Sequence, residues 1–355
     1  MNDKKKLLYI MGIDWNWIYQ RPQIIGQHLA DKYDVTVVFP RSILKAFNKT
    51  RGCYPPKYRI LWNLPLQEKN WFIGWISSVY SKRIFGDIKK YDLVVIGYPL
   101  YYRYIPDSYF GKVIYDCMDN FEALYPDQKK ASRVLEWEKR LISRSDIIFV
   151  TATKLLQKIR TLMPDKNVVL IRNGSQNKVI AEPCEPRLQQ KYSIGYFGTI
   201  AEWFDFDLLR KSLKKYSNIE YHLIGPMAKP YEQEHQGIVL EGIVPHHRLY
   251  EVTRDYSCFI MPFIINDVVE WVDPVKLYEY ISMGKCIISV RYKEIERFED
   301  YVYMYSNERE FLDLLGGLIE KGFPPKYTEG QQEVFLRENT WDKRFEQIDS
   351  CLEEL

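Results

Sequence analysis

The residues best suited to chemistry in this 355-residue chain lie in four short clusters. The densest runs Trp271-Val272-Asp273-Pro274-Val275-Lys276-Leu277-Tyr278-Glu279-Tyr280. Pro274 starts a helix, which puts Lys276 and Glu279 three residues apart on one face near its N-terminal end. A helix N-terminus with a lysine beside it favours a diphosphate, and a glutamate one turn on can accept hydrogen bonds from two ribose hydroxyls. Gly284 ends that helix, and the preceding loop, Pro262-Phe263-Ile264-Ile265-Asn266-Asp267, follows a strand and faces the same side. A second cluster, Gly198-Thr199-Ile200, sits between an apolar run and a helix that begins near Asp205; glycine permits close backbone approach, and free amides near a helix start favour phosphate. The Asp205-Phe206-Asp207 triplet matches a metal-binding pattern, but reads here as carboxylates favoured at a helix N-terminus.

A third cluster, Tyr115-Asp116-Cys117-Met118-Asp119-Asn120, places two carboxylates three residues apart at the end of a strand-like run. Asp116 is expected to be structural, hydrogen-bonding loop amides, while Asp119 reaches further and can take a proton from an acceptor hydroxyl. The fourth is the turn from Gly12 to Pro22. Its Asp14, Trp15, Trp17, Gln20 and Arg21 form a mixture suited to sugar hydroxyls and an anionic group. A dinucleotide fingerprint would need GxGxxG at this turn, and Gly12 stands alone, which argues against an NAD or FAD enzyme.

The elements that must position these clusters are legible as short runs, apolar on both faces, alternating with helical periodicity. They are Leu7–Met11, Val35–Phe39, Leu93–Ile96, Val113–Tyr115, Ile147–Val150 and Val168–Ile171, then Ile194–Phe197, Ile219–Ile224, Ile238–Leu240, Cys258–Met261, Cys286–Val290 and Tyr301–Tyr305. Such runs fit parallel strands buried between helix layers. Helices are expected at Pro22–Lys32, Lys130–Ser143, Leu208–Tyr216, Val275–Met283 and Glu308–Lys321, with two more closing the chain. Polar, proline-containing residues at 176–192 read as a linker. The expected architecture is α/β, two Rossmann-like domains facing across a cleft: a first domain at 1–175, a second at 193–338, and a terminal helix at 339–355 that can pack back on the first domain.

Composition bounds the function. The 46% hydrophobic and 27% charged residues are those of a globular protein. The longest uncharged stretch, Asn70–Ser81, has 12 residues, short of the about 20 that a membrane-spanning helix needs. No transmembrane helix and no secretory signal are expected, which implies a cytoplasmic location. The net charge of +3 hides an asymmetry: residues 1–90 hold 16 Lys/Arg against 6 Asp/Glu, a net +10, leaving −7 for the rest. Residues 41–90 interleave 11 basic side chains and 2 acidic ones with aromatics. Peripheral contact of 54–90 with an anionic membrane is expected on that pattern. No DNA-reading motif is visible, so no nucleic-acid partner is expected. The six cysteines form no CxxC pair, so no zinc or redox site is indicated, and Cys117, Cys258 and Cys286 read as small core residues.

At Asp273–Tyr280 with Gly284-Lys285, the chain resembles the donor-site helix of glycosyltransferases with the B-type fold. Trp15–Pro22, the Tyr-Asp-Cys-Met-Asp run, Ile171–Gly174, Gly195–Ile200 and Leu223–Pro226 agree in order. The resemblance is greatest to bacterial cell-surface polysaccharide transferases of the TuaH-type, teichuronic-acid group. It implies transfer of a sugar from a nucleoside diphosphate donor, UDP, to a saccharide or lipid-linked glycan, with no metal cofactor. By the same resemblance Glu279 holds the ribose, Lys276 the diphosphate or donor sugar, Gly198 and Thr199 the phosphate end, and Val244 flanks the base. Asn266 and Asp273 complete the donor side; Asp14, Trp15, Gln20 and Arg21 face the acceptor, and Asp119 is the base of an inverting reaction. Retaining relatives carry a second glutamate eight residues before the ribose glutamate, and here that position is Trp271. A retaining transferase of the same fold and a non-catalytic nucleotide-sugar or glycan-binding protein remain the alternatives.

Overall fold

The computed structural model describes residues 4–43, 54–64, 71–175, 179–181, 183–228 and 236–355. They form two compact units, Met1–Arg172 with Gln347–Leu355, and Asn173–Glu346.

In the first unit, seven strands build one parallel sheet: β1 (Lys6–Ile10), β2 (Asp34–Ser42), β3 (Tyr58–Asn63), β4 (Leu93–Ile96), β5 (Lys112–Cys117), β6 (Ile147–Val150) and β7 (Val168–Leu170). Their spatial order is β3-β2-β1-β4-β5-β6-β7, reversing direction at β1. Four helices belong to it: α1 (Arg21–Lys32), α2 (Trp71–Phe85), α3 (Gln128–Arg144) and α4 (Thr153–Leu162). The central strands β1 and β4 are buried along nearly their whole length, as expected when helices cover both sheet faces. Three elements of this unit escaped the sequence reading: β3, α2 and the amphipathic α4. Strand β3 is a half-exposed edge strand whose register follows β2, from Val37 opposite Tyr58 to Ser42 opposite Asn63. Helix α2 is apolar nearly all round, so it shows no amphipathic period to read.

The second unit repeats the plan with six parallel strands: β8 (Tyr192–Phe197), β9 (Ile219–Ile224), β10 (Ile238–Gly242), β11 (Cys258–Met261), β12 (Cys286–Val290) and β13 (Tyr303–Tyr305), ordered β10-β9-β8-β11-β12-β13. The strands alternate strictly between two cores. Ile194, Tyr196, Cys258, Ile260, Cys286 and Ile288 face the side of α5 (Phe206–Lys215). Phe197, Phe259, Met261 and Ile287 face the side of α7 (Val275–Ser282). Period-two alternation with apolar residues on both sides produces the continuous apolar runs seen in the sequence. Between these elements lies α6 (Leu249–Thr253), and the unit continues through α8 (Glu308–Glu320) and α9 (Glu329–Glu338). Helix α10 (Trp341–Glu353) closes the chain; its last residues group with the first unit, where the Asp349 carboxylate meets His28 Nε2 at 2.9 Å and Lys32 Nζ at 2.6 Å.

Helix starts are capped as their sequences dictate. The Asp127 carboxylate accepts from the Lys130 amide at 2.8 Å, Asn307 from Glu310 at 3.0 Å, and Thr328 forms a reciprocal box with Gln331. Asp205 Oδ1 accepts from the Leu208 amide at 2.8 Å, and Asp207 pairs with Arg210, so that triplet caps and braces α5. Among the described residues no group of three His, Cys, Asp or Glu side chains could hold a metal ion. The five described cysteines are free, and Cys117, Cys258 and Cys286 are buried in the sheets. Cys53 lies outside the described residues.

The first unit is pinned by a buried ion pair. Arg21, at the start of α1, donates from Nε at 3.1 Å and Nη2 at 2.8 Å to Asp116 Oδ1 at the end of β5, and from Nη1 to the Ile171 carbonyl at 2.9 Å. Arg21 is only 2% exposed. This corrects the expectation that Arg21 faces an acceptor: its planar fork is saturated inside the unit, tying α1 to the ends of two strands. Asp116 is structural as expected, but its partner is Arg21 rather than loop amides. Replacing Arg21 by Leu leaves the Asp116 carboxylate buried without its counter-charge, so denaturant unfolding should show the unit less stable by about 3–5 kcal/mol. An unchanged midpoint would contradict this role.

Candidate active site

In the second unit, two strand ends and one helix converge. Strand β8 is followed by Gly198, whose amide donates to the Ile224 carbonyl at 2.8 Å; β9 is followed by Gly225, whose amide donates to the Gly242 carbonyl at 2.7 Å. Both glycines have positive φ, +144° and +137°, where a side chain would be strained. They also touch: a Cβ on Gly225 would lie 2.0 Å from the Gly198 carbonyl oxygen, and one on Gly198 would lie 2.0 Å from Lys276 Cε. The loops beyond them are zipped by Ile200 N–H donating to Pro226 O and Ala228 N–H to Ile200 O, each at 2.9 Å. Thr199, half-buried, has its carbonyl fixed by the Tyr196 hydroxyl at 2.8 Å.

Helix α7 brings Lys276 over this glycine cradle. Its aliphatic stem covers Gly198, and its ammonium lies 5.7 Å from the centre of the Tyr196 ring. Among the described residues that ammonium makes no ion pair. Burial lowers the Lys276 pKa, with the Glu279 charge acting in the opposite direction. A half-buried ammonium held over two conformationally free strand ends is a preformed site for an anion.

Glu279 lies one turn further along α7, and its Oε1 is 2.6 Å from Nε2 of His246. Neither Gly225's part in the cradle nor His246 was assigned from the sequence. Gly225 repeats the signal that singled out Gly198, an apolar run ending in glycine. His246 carries no such signal, because only the packing of the 246–248 turn against α7 makes it a neighbour of Glu279. Val244, half-buried, packs against the same core as α7. Asn266 Oδ1 accepts from the amides of Val268 and Val269 at 2.9 and 3.0 Å, so it shapes the turn leading to Trp271.

Asp273 requires a correction. It was expected on the donor side, but it is buried beneath the start of α7, where Oδ2 accepts from the Asn173 amide at 2.7 Å and both oxygens accept from the Tyr278 hydroxyl at 3.2 Å. The Arg297 guanidinium completes its neutralisation. With no lone pair turned outward, Asp273 anchors the helix and cannot reach a sugar.

In the first unit, β5 leads into the turn bearing Asp119. The turn is gripped on both sides: Thr151 Oγ1 donates to Met118 O at 3.0 Å, and Lys158 donates at 2.8 Å both to Asn120 Oδ1 and to Glu138. Among the described residues the Asp119 carboxylate accepts no hydrogen bond. Burial, reinforced by the negative charge of Asp116, pushes its pKa up to about 6, close to the range in which a general base works best. The Gly12–Pro22 turn divides. Asp14, half-buried, accepts from the Asn16 amide at 3.0 Å and lies 3.8 Å from Arg41 Nε. Gln20, half-buried, precedes α1, and its amide donates to Gln23 Oε1 at 3.3 Å. Trp17 is exposed, but Trp15 is buried against Phe39, with ring centroids 6.5 Å apart. Trp15, expected to meet an acceptor, is therefore a core residue, the second correction in this turn after Arg21.

Two units of this kind, each a parallel sheet wound in both directions, make up the B-type fold of glycosyltransferases, and solved structures with that fold match nearly the whole chain. The lipopolysaccharide outer core galactosyltransferase WaaB superposes with a TM-score of 0.67 at 13% identity, covering 99% of this chain and 100% of its own. Anabaena HepE, solved with UDP and glucose, gives 0.68 at 11% identity over 99% and 100%. Among curated sequences the chain is similar to TuaH of Bacillus subtilis, described as a teichuronic acid biosynthesis glycosyltransferase, at 22% identity over 265 residues. That match covers 67% of this chain and 66% of TuaH. A segment of 117 residues is 31% identical to the endoribonuclease YbeY of Brevibacillus brevis, covering 30% of this chain and 73% of that one. So short a stretch cannot account for two complete α/β units. No protein-family model matches.

The His246–Glu279 pair gives a pH test. The Glu279 hydrogen bond raises the His246 pKa above its ordinary value. The imidazolium therefore stabilises the folded state fully below the unfolded value of about 6.5, and that contribution is lost as pH rises through the higher folded value. Thermal unfolding should accordingly show His246→Gln less stable than the parent at mildly acidic pH, with the gap closing at alkaline pH. A gap independent of pH would sink the pairing.

Proposed function

We propose that this protein is a glycosyltransferase that takes a sugar from a nucleoside diphosphate donor, UDP, and adds it to a saccharide or lipid-linked glycan of a bacterial surface polysaccharide. One observation carries the proposal: the Lys276 ammonium, without an ion pair among the described residues, lying over the Gly198–Gly225 cradle with Glu279 one helical turn away. That spacing suits a diphosphate followed by a ribose. The similarity to TuaH and the fold shared with WaaB and HepE support the same reading.

In the proposed reaction, Lys276, the cradle and Thr199 hold the diphosphate, Glu279 accepts from the ribose hydroxyls, and Val244 and Asn266 border the nucleotide. Asp119 takes the proton from an acceptor hydroxyl whose oxygen attacks the anomeric carbon. The bond from that carbon to the diphosphate breaks, and its electron pair leaves with the diphosphate, whose charge Lys276 stabilises. A fixed, partly desolvated cation is effective here because it needs no reorganisation as the charge develops. Asp14 and Gln20 lie on the acceptor side. Trp271, standing where a retaining enzyme has its second glutamate, and the sequestration of Asp273 both favour inversion. The anomeric configuration of the product decides between the two outcomes.

Two substitutions test the assignment. Asp119→Asn should lower kcat/KM by about 10²–10⁴-fold, and the parent enzyme's rate should rise with pH through about 6 as the carboxylate ionises. The same variant should gain thermal stability at neutral pH, because a carboxylate whose folded pKa is raised costs stability once it is charged. Turnover unaffected by the substitution would eliminate Asp119 as the base. Lys276→Ala should abolish the thermal stabilisation that UDP gives the parent, since a ligand raises stability only through binding the folded state. UDP binding unaltered by that change would remove the diphosphate role.

A further inference from the structure

Among the described residues, helix α2 packs on the first unit through Tyr80, Ser81 and Phe85. Ser81 and Phe85 are buried, the Phe85 ring stacks on Tyr104 at 4.5 Å, and the Tyr80 hydroxyl donates to the Ile60 carbonyl of β3 at 3.2 Å. Its other side is exposed. Trp71 is 82% exposed, Trp75 59%, Phe72 52% and Val79 50%, with Ile76 at 39%. At 100° per residue these five, together with exposed Lys82 and Arg83, fall within an arc of about 140° on the helix surface. The exposed face is thus an aromatic and aliphatic stripe that ends in two cations. Exposed apolar groups in so dense a cluster mark an interaction site.

We propose that this face of α2 docks on an anionic lipid bilayer, the indoles and Phe72 entering the headgroup–acyl boundary and Lys82 and Arg83 meeting lipid phosphates. Charge selects this occupant. Residues 54–64 and 71–90 carry six basic side chains, Lys57, Arg59, Lys82, Arg83, Lys89 and Lys90, against the single acid Asp87. A second copy of the chain would bring the same cations face to face, whereas an anionic surface neutralises them. Tryptophan suits the interface because its ring is apolar while its N–H stays hydrated. Fifteen residues make a helix about 22 Å long, and among the described residues no helix is long and apolar enough to cross a membrane. The mode is therefore a helix lying in the surface. The proposal stands apart from the transferase reading, since it concerns only how the first unit meets lipid.

Cosedimentation of the full chain with phosphatidylcholine vesicles, with and without phosphatidylglycerol, tests it. The protein should pellet with the anionic vesicles at low salt and remain in solution with the neutral ones. Lys82→Gln with Arg83→Gln should weaken partitioning roughly 30-fold at low salt, each cation near the surface contributing a factor of about five. Trp71→Ser with Trp75→Ser should weaken it by at least about tenfold. All four positions are exposed, so circular dichroism and the UDP-induced thermal shift should match the parent, which keeps this result separate from the donor assignment. Failure to pellet, retention unaffected by either pair, or a dimer in sedimentation velocity that Trp75→Ser disperses would each overturn the proposal.

Discussion

The candidate donor site depends on a buried carboxylate that never touches the expected substrate. Asp273 gathers the Asn173 amide, the Tyr278 hydroxyl and the Arg297 guanidinium around one charge, directly before the first turn of α7. A buried anion is tolerated only when fully paired, so the node has one satisfactory geometry. That geometry sets where α7 begins, and through it where Lys276 and Glu279 point. Breaking the node would leave both side chains on a helix free to shift, and a shift of an ångström is enough to undo a preorganised site.

The first unit uses the same device. Arg21 and Asp116 are sequestered from solvent so that α1 and the end of β5 are locked together. Next to that pair, Asp119 is half-buried on a turn clamped by Thr151 and Lys158, and it feels the negative charge of Asp116. The structural ion pair and the raised carboxylate are thus linked: the field that perturbs Asp119 comes from a residue retained for packing. In each unit a paired, buried carboxylate stands three residues before a group that makes no ion pair among the described residues and whose pKa is displaced towards neutrality, downward for Lys276 and upward for Asp119. Displacements of this kind are frequent where charges act on a ligand.

Much of the fold was legible because it rests on local regularities. Strands buried on both faces write unbroken apolar runs, and Asp127, Asn307, Thr328 and Pro274 mark helix starts by their own short-range hydrogen bonds or fixed dihedral. Two of the missed elements have an environment that period does not encode. Strand β3 is an edge, half-solvated, and α2 is apolar on its docked side and its exposed side alike, so neither shows the contrast on which a pattern depends.

The sequence by itself determined the α/β class, the restart of the pattern in a second unit, and the chemistry available at each strand end, because glycine, lysine and glutamate have fixed capabilities wherever they stand. Only the tertiary structure decided which of those groups are free to act. Arg21, Trp15 and Asp273 have the right chemistry and are buried in packing, whereas Gly225 and His246, unassigned from the sequence, adjoin Gly198 and Glu279 through contacts 27 and 33 residues apart along the chain. Whether a charge faces a partner or a void depends on residues distant in the chain, and a side chain's type says nothing of that neighbour. The basic start of the chain shows both halves of this division. Its charge could be counted from the residues, but that five apolar side chains and two cations share one exposed face of α2 follows from which side of the helix the sheet had already taken.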